Sequence, residues 1–416
     1  MSTKSFIPPK FNYPLLWLTD FSLPFLLKAV HNIDGVEISE DDKKTIKSLR
    51  KHRVIIVSNH PTTQEPPVVY SLANIMSSRF HYMASREVFD WGSGFVGDFI
   101  QAIGAYSVIA GTNDKESLKA TREIISAPEG KLVLFPEGEP TSGLNDTLLP
   151  FQPGVAQLGF WGLEDSIKKD PNAQVYILPV FIKYKMNAKE DIMKKDLDAS
   201  LTILENKMGI SKTGKTIVER FLSIGRRLLE KEEREYGIDI ENPEDFNYRM
   251  GKIRHTILDN IAKKIELPKY DPTENAIVKL RKVLSFLELA TLDIENVKEK
   301  VPSKEVAKWA RKAAQKAYDF ITMQIDYIKE LPSPERLYEW LYRYEQEILG
   351  ETKMRPHLAK IRISTPILMN ALYDSYKKDK KKLVQDTTQN LRNKLENLLN
   401  EEKSLAKEIF SSDYRF

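Results

Sequence analysis

Two short polar segments carry the residue types that could do acid–base chemistry. The first contains His60 and, five residues later, Glu65; the second contains Glu137 followed by Gly138. Histidine is the usual general base near neutral pH because its unperturbed pKa is about 6.5. A carboxylate bonded to the second ring nitrogen fixes the tautomer and stabilises the imidazolium that develops. His60 and Glu65 are therefore a candidate base and its orienting group.

The spacing of this pair sets a condition on the backbone. Five helical residues turn the chain through about 500°, so the two side chains would face apart on one continuous helix. They can meet only if His60 ends a loop and Glu65 begins a helix. Pro66 and Pro67 favour that boundary because proline is tolerated in the first helical turn. A metal site on this pair is not indicated, since the sequence shows no third ligand cluster.

Each polar segment follows an apolar run typical of a buried strand, at 54–57 and 131–135. Strands alternating with helices predict an α/β fold, with a mostly parallel sheet flanked by helices. Ligands of such sheets bind at the carboxyl ends of the strands, so both polar segments are expected at one edge. The other predicted strands are 81–84, 106–109 and 175–184, and the helical stretches between strands are 67–76, 95–103 and 115–125.

A large all-α insertion is predicted to interrupt this fold. At 416 residues the chain is long enough for two units. Helical patterns dominate 187–349, and the alternating residues 357–363 then predict a half-exposed strand that returns to the sheet. The predicted parts are an N-terminal arm at 1–34, a catalytic domain at 35–189, the helical insertion at 190–350, and a returning strand with a C-terminal helix at 351–416.

The polar segments resemble the first and third motifs of the glycerolipid acyltransferases, the family of lysophosphatidate and glycerol-3-phosphate acyltransferases. Asn59-His60-x4-Glu65 resembles the Asn-His-x4-Asp motif, with glutamate in place of aspartate, and Phe135-Pro136-Glu137-Gly138 matches the third motif. Phe151-Gln152-Pro153-Gly154 and Leu178-Pro179-Val180 resemble later elements in the same order. The resemblance implies transfer of a fatty acyl group from acyl-CoA or acyl-carrier protein to a hydroxyl of a lysolipid or glycerol-type acceptor, with no bound cofactor.

The resemblance also implies residue roles. His60 would be the general base and Glu65 its orienting group. The extra methylene of Glu65 would shift the carboxylate by about 1 Å unless the backbone compensates, and such a misplacement can cost about a hundredfold in rate. Backbone amides near Thr62 or Gly138 could stabilise the oxyanion, and the sequence does not choose between them. The residues expected at the substrate are Asn59, Thr62, Glu137, Gly138 and Arg86.

The acceptor loops lack the arginines that family members acting on glycerol phosphates usually carry. The corresponding positions are occupied by Ala110-Gly111 and by Pro140. Glu139 adds a negative charge next to Pro140. Guanidinium groups suit phosphate because they bond two oxygens at once. We therefore expect an acceptor without a phosphomonoester, or one held by other cations. The candidate cations are Arg86, Arg122 and Lys183.

Composition limits the remaining possibilities. A formal net charge of +4 is too small to argue for nucleic acid, and without cysteine there is no disulfide, thiol nucleophile or thiolate zinc site. Prolines and charges interrupt the apolar stretch 11–30, which favours a segment lying in the headgroup layer, or an arm packed on the protein's own core, over a spanning helix. With no secretory signal at the start, we expect a cytoplasmic protein peripherally associated with a membrane surface.

Two other functions stay open on the sequence. One is a catalytically silent lipid-binding protein on the same fold, with the helical insertion binding a partner. The other is an acyltransferase for a non-phosphorylated or non-lipid alcohol. A soluble acyltransferase for a non-lipid alcohol would tolerate polar substitutions across 11–30. Alanine at His60 separates the enzyme from the silent protein, since only an enzyme would lose its function.

Overall fold

The structure is a computed structural model, and it describes residues 6–109, 114–138, 143–291 and 301–416. The chain divides into two compact units. The first contains Met1–Thr141, Asp146–Lys185 and His357–Ser404, and the second contains Ser142–Asn145, Met186–Pro356 and Leu405–Phe416.

The first unit is built on a mixed, mostly parallel eight-stranded sheet, in the order β1-β7-β6-β2-β5-β3-β4, with β8 paired antiparallel to β6. The predicted α/β class is confirmed. Every predicted strand is present, with ends shifted by a residue or two, whereas β1 and β8 are not predicted from the sequence. The strands are β1 Ile33–Ile38, β2 Arg53–Ser58, β3 His81–Ser85, β4 Ala105–Val108, β5 Lys131–Leu134, β6 Val175–Met186, β7 His357–Ile363 and β8 Ile367–Leu368.

Alternating side chains of the central strands build a core on each face of the sheet. Val54 and Ile56 of β2 pack in one cluster, and Ile55 and Val57 pack in the other. Burial on both faces explains why these strands read as continuous apolar runs. The helices of this unit are α1 Tyr13–His31, α2 Glu40–Ser48, α3 Glu65–Met76, α4 Phe95–Ala102, α5 Lys115–Ser126 and α6 Gly154–Lys169, with α14 Tyr373–Lys378 and α15 Lys380–Ser404 after the second unit.

From Glu190 to Leu349 the secondary structure of the second unit is helical in the described residues, as the patterns at 187–349 predict. Two of its helices begin at capping serines: the side chains of Ser303 and Ser333 accept hydrogen bonds from the backbone N–H three residues on. The helices of this unit are α7 Glu190–Met208, α8 Ile217–Tyr236, α9 Phe246–Lys264, α10 Ala276–Thr291, α11 Lys304–Thr322, α12 Ile325–Glu330 and α13 Pro334–Leu349.

The N-terminal helix α1 has one face in the core and one face in solvent. Leu16, Leu23 and Leu27 are buried against the sheet unit. Phe21 and Phe25 on the opposite face are 89% and 72% exposed. No helix in the described part of the chain is long and apolar enough to cross a bilayer.

Candidate active site at the carboxyl ends of the strands

The two polar segments leave the carboxyl ends of adjacent parallel strands. Val57 of β2 lies opposite Leu134 of β5, so the residues that follow emerge side by side. The ring of His60 stacks on that of Phe135, with centroids 4.2 Å apart and planes 23° from parallel. The backbone N–H of His60 also donates to Glu137 Oε1 at 2.9 Å. The segments therefore meet in one place, as their positions after neighbouring strands predict.

His60 and Glu65 are in hydrogen-bond contact. His60 Nδ1 lies 2.7 Å from Glu65 Oε2. Glu65 is the first residue of α3 and two prolines follow it, which confirms the predicted boundary between loop and helix. Because a carboxylate only accepts hydrogen bonds, Nδ1 donates in this contact, and in the neutral ring Nε2 then keeps its lone pair. The pair thus has the arrangement that a general base requires.

The carboxylate of Glu65 is fully buried. The loop between His60 and Glu65 supplies its other hydrogen-bond donors. Glu65 Oε2 accepts from the backbone N–H of Thr62 at 3.0 Å, and Oε1 accepts from the Thr62 hydroxyl at 2.7 Å. The N-terminus of α3 adds a favourable interaction with the helix dipole. These contacts hold the carboxylate at the ring of His60, so the backbone compensates for the longer side chain.

Three residues behind the pair are missed by the sequence analysis. Tyr184, at the end of β6, is buried, and burial together with the nearby Glu65 carboxylate raises the pKa of its hydroxyl. Gln64 Oε1 lies 2.9 Å from His357 Nε2, and the His357 ring contacts that of Tyr184 edge-on with centroids 5.3 Å apart. Tyr184 and His357 each stand at one end of a predicted strand, which is the only signal the sequence offers for them.

Glu137 is buried and connects two loops. Besides the His60 contact, its Oε2 accepts from the backbone N–H of Leu149 at 2.8 Å. Burial raises the pKa of the Glu137 carboxyl. Gly138 follows with φ of +74°, and a Cβ there would collide with the side chain of Gln152, so the turn requires glycine. Glu137 thus supports the backbone beside the base, and its contact with an acceptor stays a prediction.

Glu137→Gln is expected to lower both stability and turnover. An amide has one acceptor oxygen, so the N–H of either His60 or Leu149 would face an NH2 group. A lost hydrogen bond to a buried charged group costs about 1.5–3 kcal/mol, and a displaced His60 would lower turnover about tenfold or more. Urea unfolding and the acyl-transfer assay below measure the two effects. Glu116→Gln, on the exposed side of α5, is the matched control. Identical urea midpoints for the two variants would contradict the argument.

Asn59 is buried, and its side chain joins β2 to β6. Its Nδ2 donates to the carbonyl of Ile182, and its Oδ1 accepts from the N–H of the same residue, both at 2.8 Å. These are the two hydrogen bonds that the backbone of a paired strand residue would make. The Asn59 side chain therefore continues the pairing of β2 with β6 up to the residue before His60. Asn59 thus holds the backbone beside His60, and its contact with a substrate stays a prediction.

The two backbone amides suggested for the oxyanion are already engaged. The N–H of Thr62 donates to Glu65, and the N–H of Gly138 donates to the carbonyl of Phe135 at 3.3 Å. Either amide would have to break that hydrogen bond before it could stabilise an oxyanion. Thr62 thus holds the carboxylate of Glu65, and the contact of either amide with an oxyanion stays a prediction.

Each of the three candidate cations for a phosphate is paired with a carboxylate. Arg86 follows β3 directly and is buried at the same edge of the sheet as His60. Arg122 lies in the second half of α5, which leads back to the opposite edge. The pairs are Arg86 Nη1 with Asp90 at 3.0 Å, Arg122 Nε with Asp165 at 2.6 Å, and Lys183 Nζ with Asp146 at 2.5 Å. The places of the missing arginines, Ala110, Gly111, Glu139 and Pro140, lie outside the described residues.

The described residues contain no group of three or more His, Cys, Asp or Glu side chains that could hold a metal ion. The described geometry offers the chemistry of His60 and its hydrogen-bond partners. In the neutral ring, with the carboxylate buried behind it, Nε2 can accept a proton from a hydroxyl and return it to a leaving group.

Comparison with known families agrees with this geometry. Residues 36–183 match the model of the Acyltransferase family. No curated protein sequence matches the chain. The matched range contains β2, β5 and most of β6 together with both polar segments. The family domain supports a general acyltransferase role for the protein.

Proposed function

We propose that this protein is an O-acyltransferase that uses His60 as its general base. The observation that carries the proposal is the 2.7 Å contact between His60 Nδ1 and Glu65 Oε2. The side chain of His60 is 15% exposed whereas that of Glu65 is 0% exposed. An acceptor can therefore reach the ring from solvent, while the carboxylate behind it is kept from water.

The reaction follows from these positions. His60 Nε2 takes the proton of an acceptor hydroxyl as the oxygen attacks the carbonyl carbon of an acyl thioester. The tetrahedral intermediate then collapses, the C–S bond breaks, and the imidazolium returns its proton to the sulfur. The products are an ester and a free thiol. Glu65 stabilises the imidazolium between the two proton transfers.

The proposed acceptor is a lipid or glycerol-type alcohol without a phosphomonoester. Two observations support this choice. Arg86, Arg122 and Lys183 each already have a carboxylate partner. The Glu137 carboxylate, next to the base, would repel a phosphate. The donor is acyl-CoA or acyl-carrier protein, both of which are thioesters.

Release of free thiol tests this proposal directly. Purified protein is incubated with lipid vesicles, a mixture of acyl-CoA species and separate acceptors: lysophosphatidate, a zwitterionic lysolipid and a monoacylglycerol. We expect thiol release with an acylated product, fastest with an acceptor that lacks a phosphomonoester. A clear preference for lysophosphatidate would overturn the acceptor assignment alone. No product with any acceptor, repeated with acyl-carrier protein as donor, would favour the silent lipid-binding protein.

We further propose that the protein docks peripherally on a membrane through α1 and α4, with the site on the cytoplasmic side. Phe95 of α4 is 81% exposed, like the aromatic face of α1 that includes Phe21 and Phe25. The N–H of Asn12, the residue before α1, donates to the carbonyl of Ala102 at 2.8 Å, which brings the two helices together. Aromatic side chains at the headgroup level are typical of interfacial binding.

The double variant Phe21→Ser/Phe25→Ser is expected to weaken vesicle binding by about tenfold or more, because each phenylalanine loses its apolar burial in the interface. Co-sedimentation with vesicles of neutral and anionic lipid measures the effect. Ile192→Ser/Ile203→Ser on α7 is the matched control, since these side chains are 53% and 57% exposed. Equal loss of binding in both double variants would contradict docking through α1.

A further inference from the structure

The helical unit contains a cleft that the acyl-transfer proposal does not use. Residues of α8, α9, α11 and α13 line most of it, and its cavity volume is about 80 Å³. A single bound water needs about 10–15 Å³ by the same kind of measure. The walls are largely apolar and include Leu222, Leu229, Met250 and Phe320. The cleft therefore offers room for an apolar group.

Two polar atoms of the lining residues are buried and have no hydrogen-bond partner within the described part of the chain. They are the indole Nε1 of Trp340 and the Oε2 of Glu232. The two residues are 2% and 4% exposed. Buried polar groups in folded proteins are nearly always paired, so each of these atoms needs an explanation. One is a donor and the other an acceptor, and both residues line the same cleft.

The charged residues of the cleft are balanced by partners within the unit. Lys316 Nζ lies 2.7 Å from Glu232 Oε1, and Arg343 Nη1 donates to Thr322 Oγ1 at 2.9 Å. Asp319 is partly buried, and this burial raises the pKa of its carboxyl. Three of the lining residues are acidic, Glu232, Asp319 and Glu347. Because both cations already have acceptors, the surroundings disfavour an anionic ligand.

We propose that this cleft binds an uncharged amphiphile, an aliphatic chain that ends in a hydroxyl group. The chain would lie against the apolar wall, and the hydroxyl would accept from Trp340 Nε1 and donate to Glu232 Oε2. A hydroxyl both accepts and donates, as these two atoms require. A carboxylate would satisfy Trp340 and be repelled by Glu232, and an ammonium group would leave Trp340 unpaired.

Calorimetric titration of the full chain with 1-octanol, octanoate and octylammonium tests the head group, because the three share one chain length. No acyl donor is present. We expect saturable binding of 1-octanol and at least about tenfold weaker binding of the two ions, each of which leaves one buried group unpaired or repelled. Octanoate or octylammonium binding as tight as that of 1-octanol, or no saturable binding of 1-octanol, would overturn the proposal.

Two variants assign the binding to the cleft. Trp340→Phe removes the donor and keeps an apolar wall, and we expect it to weaken 1-octanol binding about fivefold. Leu222→Trp fills the space without removing a polar group and is expected to abolish binding.

Thermal unfolding checks that both variants fold, and if one variant does not fold, the other decides. His60→Ala should bind 1-octanol normally, which separates the cleft from the acceptor site. Normal binding of 1-octanol by folded Leu222→Trp would contradict the proposed site.

Discussion

His60→Ala is expected to lower the rate of acyl transfer by about 10²–10⁴-fold, the range over which a positioned general base contributes. The hydroxyl of an acceptor is a weak nucleophile at neutral pH, and removal of the ring removes the only group that we assign to take its proton. The backbone N–H of residue 60 still donates to Glu137 in the variant. The fold and the binding of vesicles are therefore expected to stay unchanged while thiol release is lost.

His52→Ala is the matched control for this experiment. His52 directly precedes β2, at the amino end of the strand whose carboxyl end leads to His60. Its ring contacts that of Tyr176, with centroids 5.1 Å apart, and it has no role in the proposed chemistry. We expect wild-type thiol release from His52→Ala. If His60→Ala also retained wild-type turnover, the acyl-transfer mechanism given above would fail and the silent lipid-binding protein would take its place.

The sequence predicts this site where local patterns decide the structure. The apolar run 54–57 and the two prolines after Glu65 fix a strand, a loop and a helix start, and these three elements bring His60 and its carboxylate together. The edge strand β1 is missed because Asp34, Gly35 and Glu37 break its alternation of apolar and polar residues. Half of the residues of β1 are polar or glycine. The apolar residues that remain are too few to predict a strand from the sequence.

The supporting contacts are missed for a different reason. They join residues far apart in the chain: Asn59 with Ile182 across 123 positions, and Gln64 with His357 across 293. Sequence spacing carries no information about such partners until the strand order is known. The roles of Asn59 and Glu137 follow the same rule, since their side chains bind the backbone of distant segments that the fold brings alongside His60.

Glu65→Gln and Glu65→Asp form a matched pair that separates charge from geometry. Glutamine has the same length as glutamate, and its amide oxygen can accept from His60 and from the Thr62 N–H as Oε2 does, so the tautomer is kept and the negative charge is lost. Aspartate keeps the charge but is one methylene shorter, which draws the carboxylate away from the ring and from Thr62. We expect Glu65→Gln to lower kcat by about a hundredfold or more, because the imidazolium loses its stabilising charge.

The expectation for Glu65→Asp opposes the one that the family motif suggests. The motif has aspartate here, and on that basis alone the substitution should raise activity. In this chain the carboxylate is buried and bound by the Thr62 N–H and hydroxyl as well as by His60, at distances that fit glutamate. We therefore expect a loss of up to about a hundredfold in kcat, measured by thiol release at saturating donor. An aspartate variant faster than the wild type would show that the loop adapts to the shorter side chain and that Glu65 orients His60 poorly.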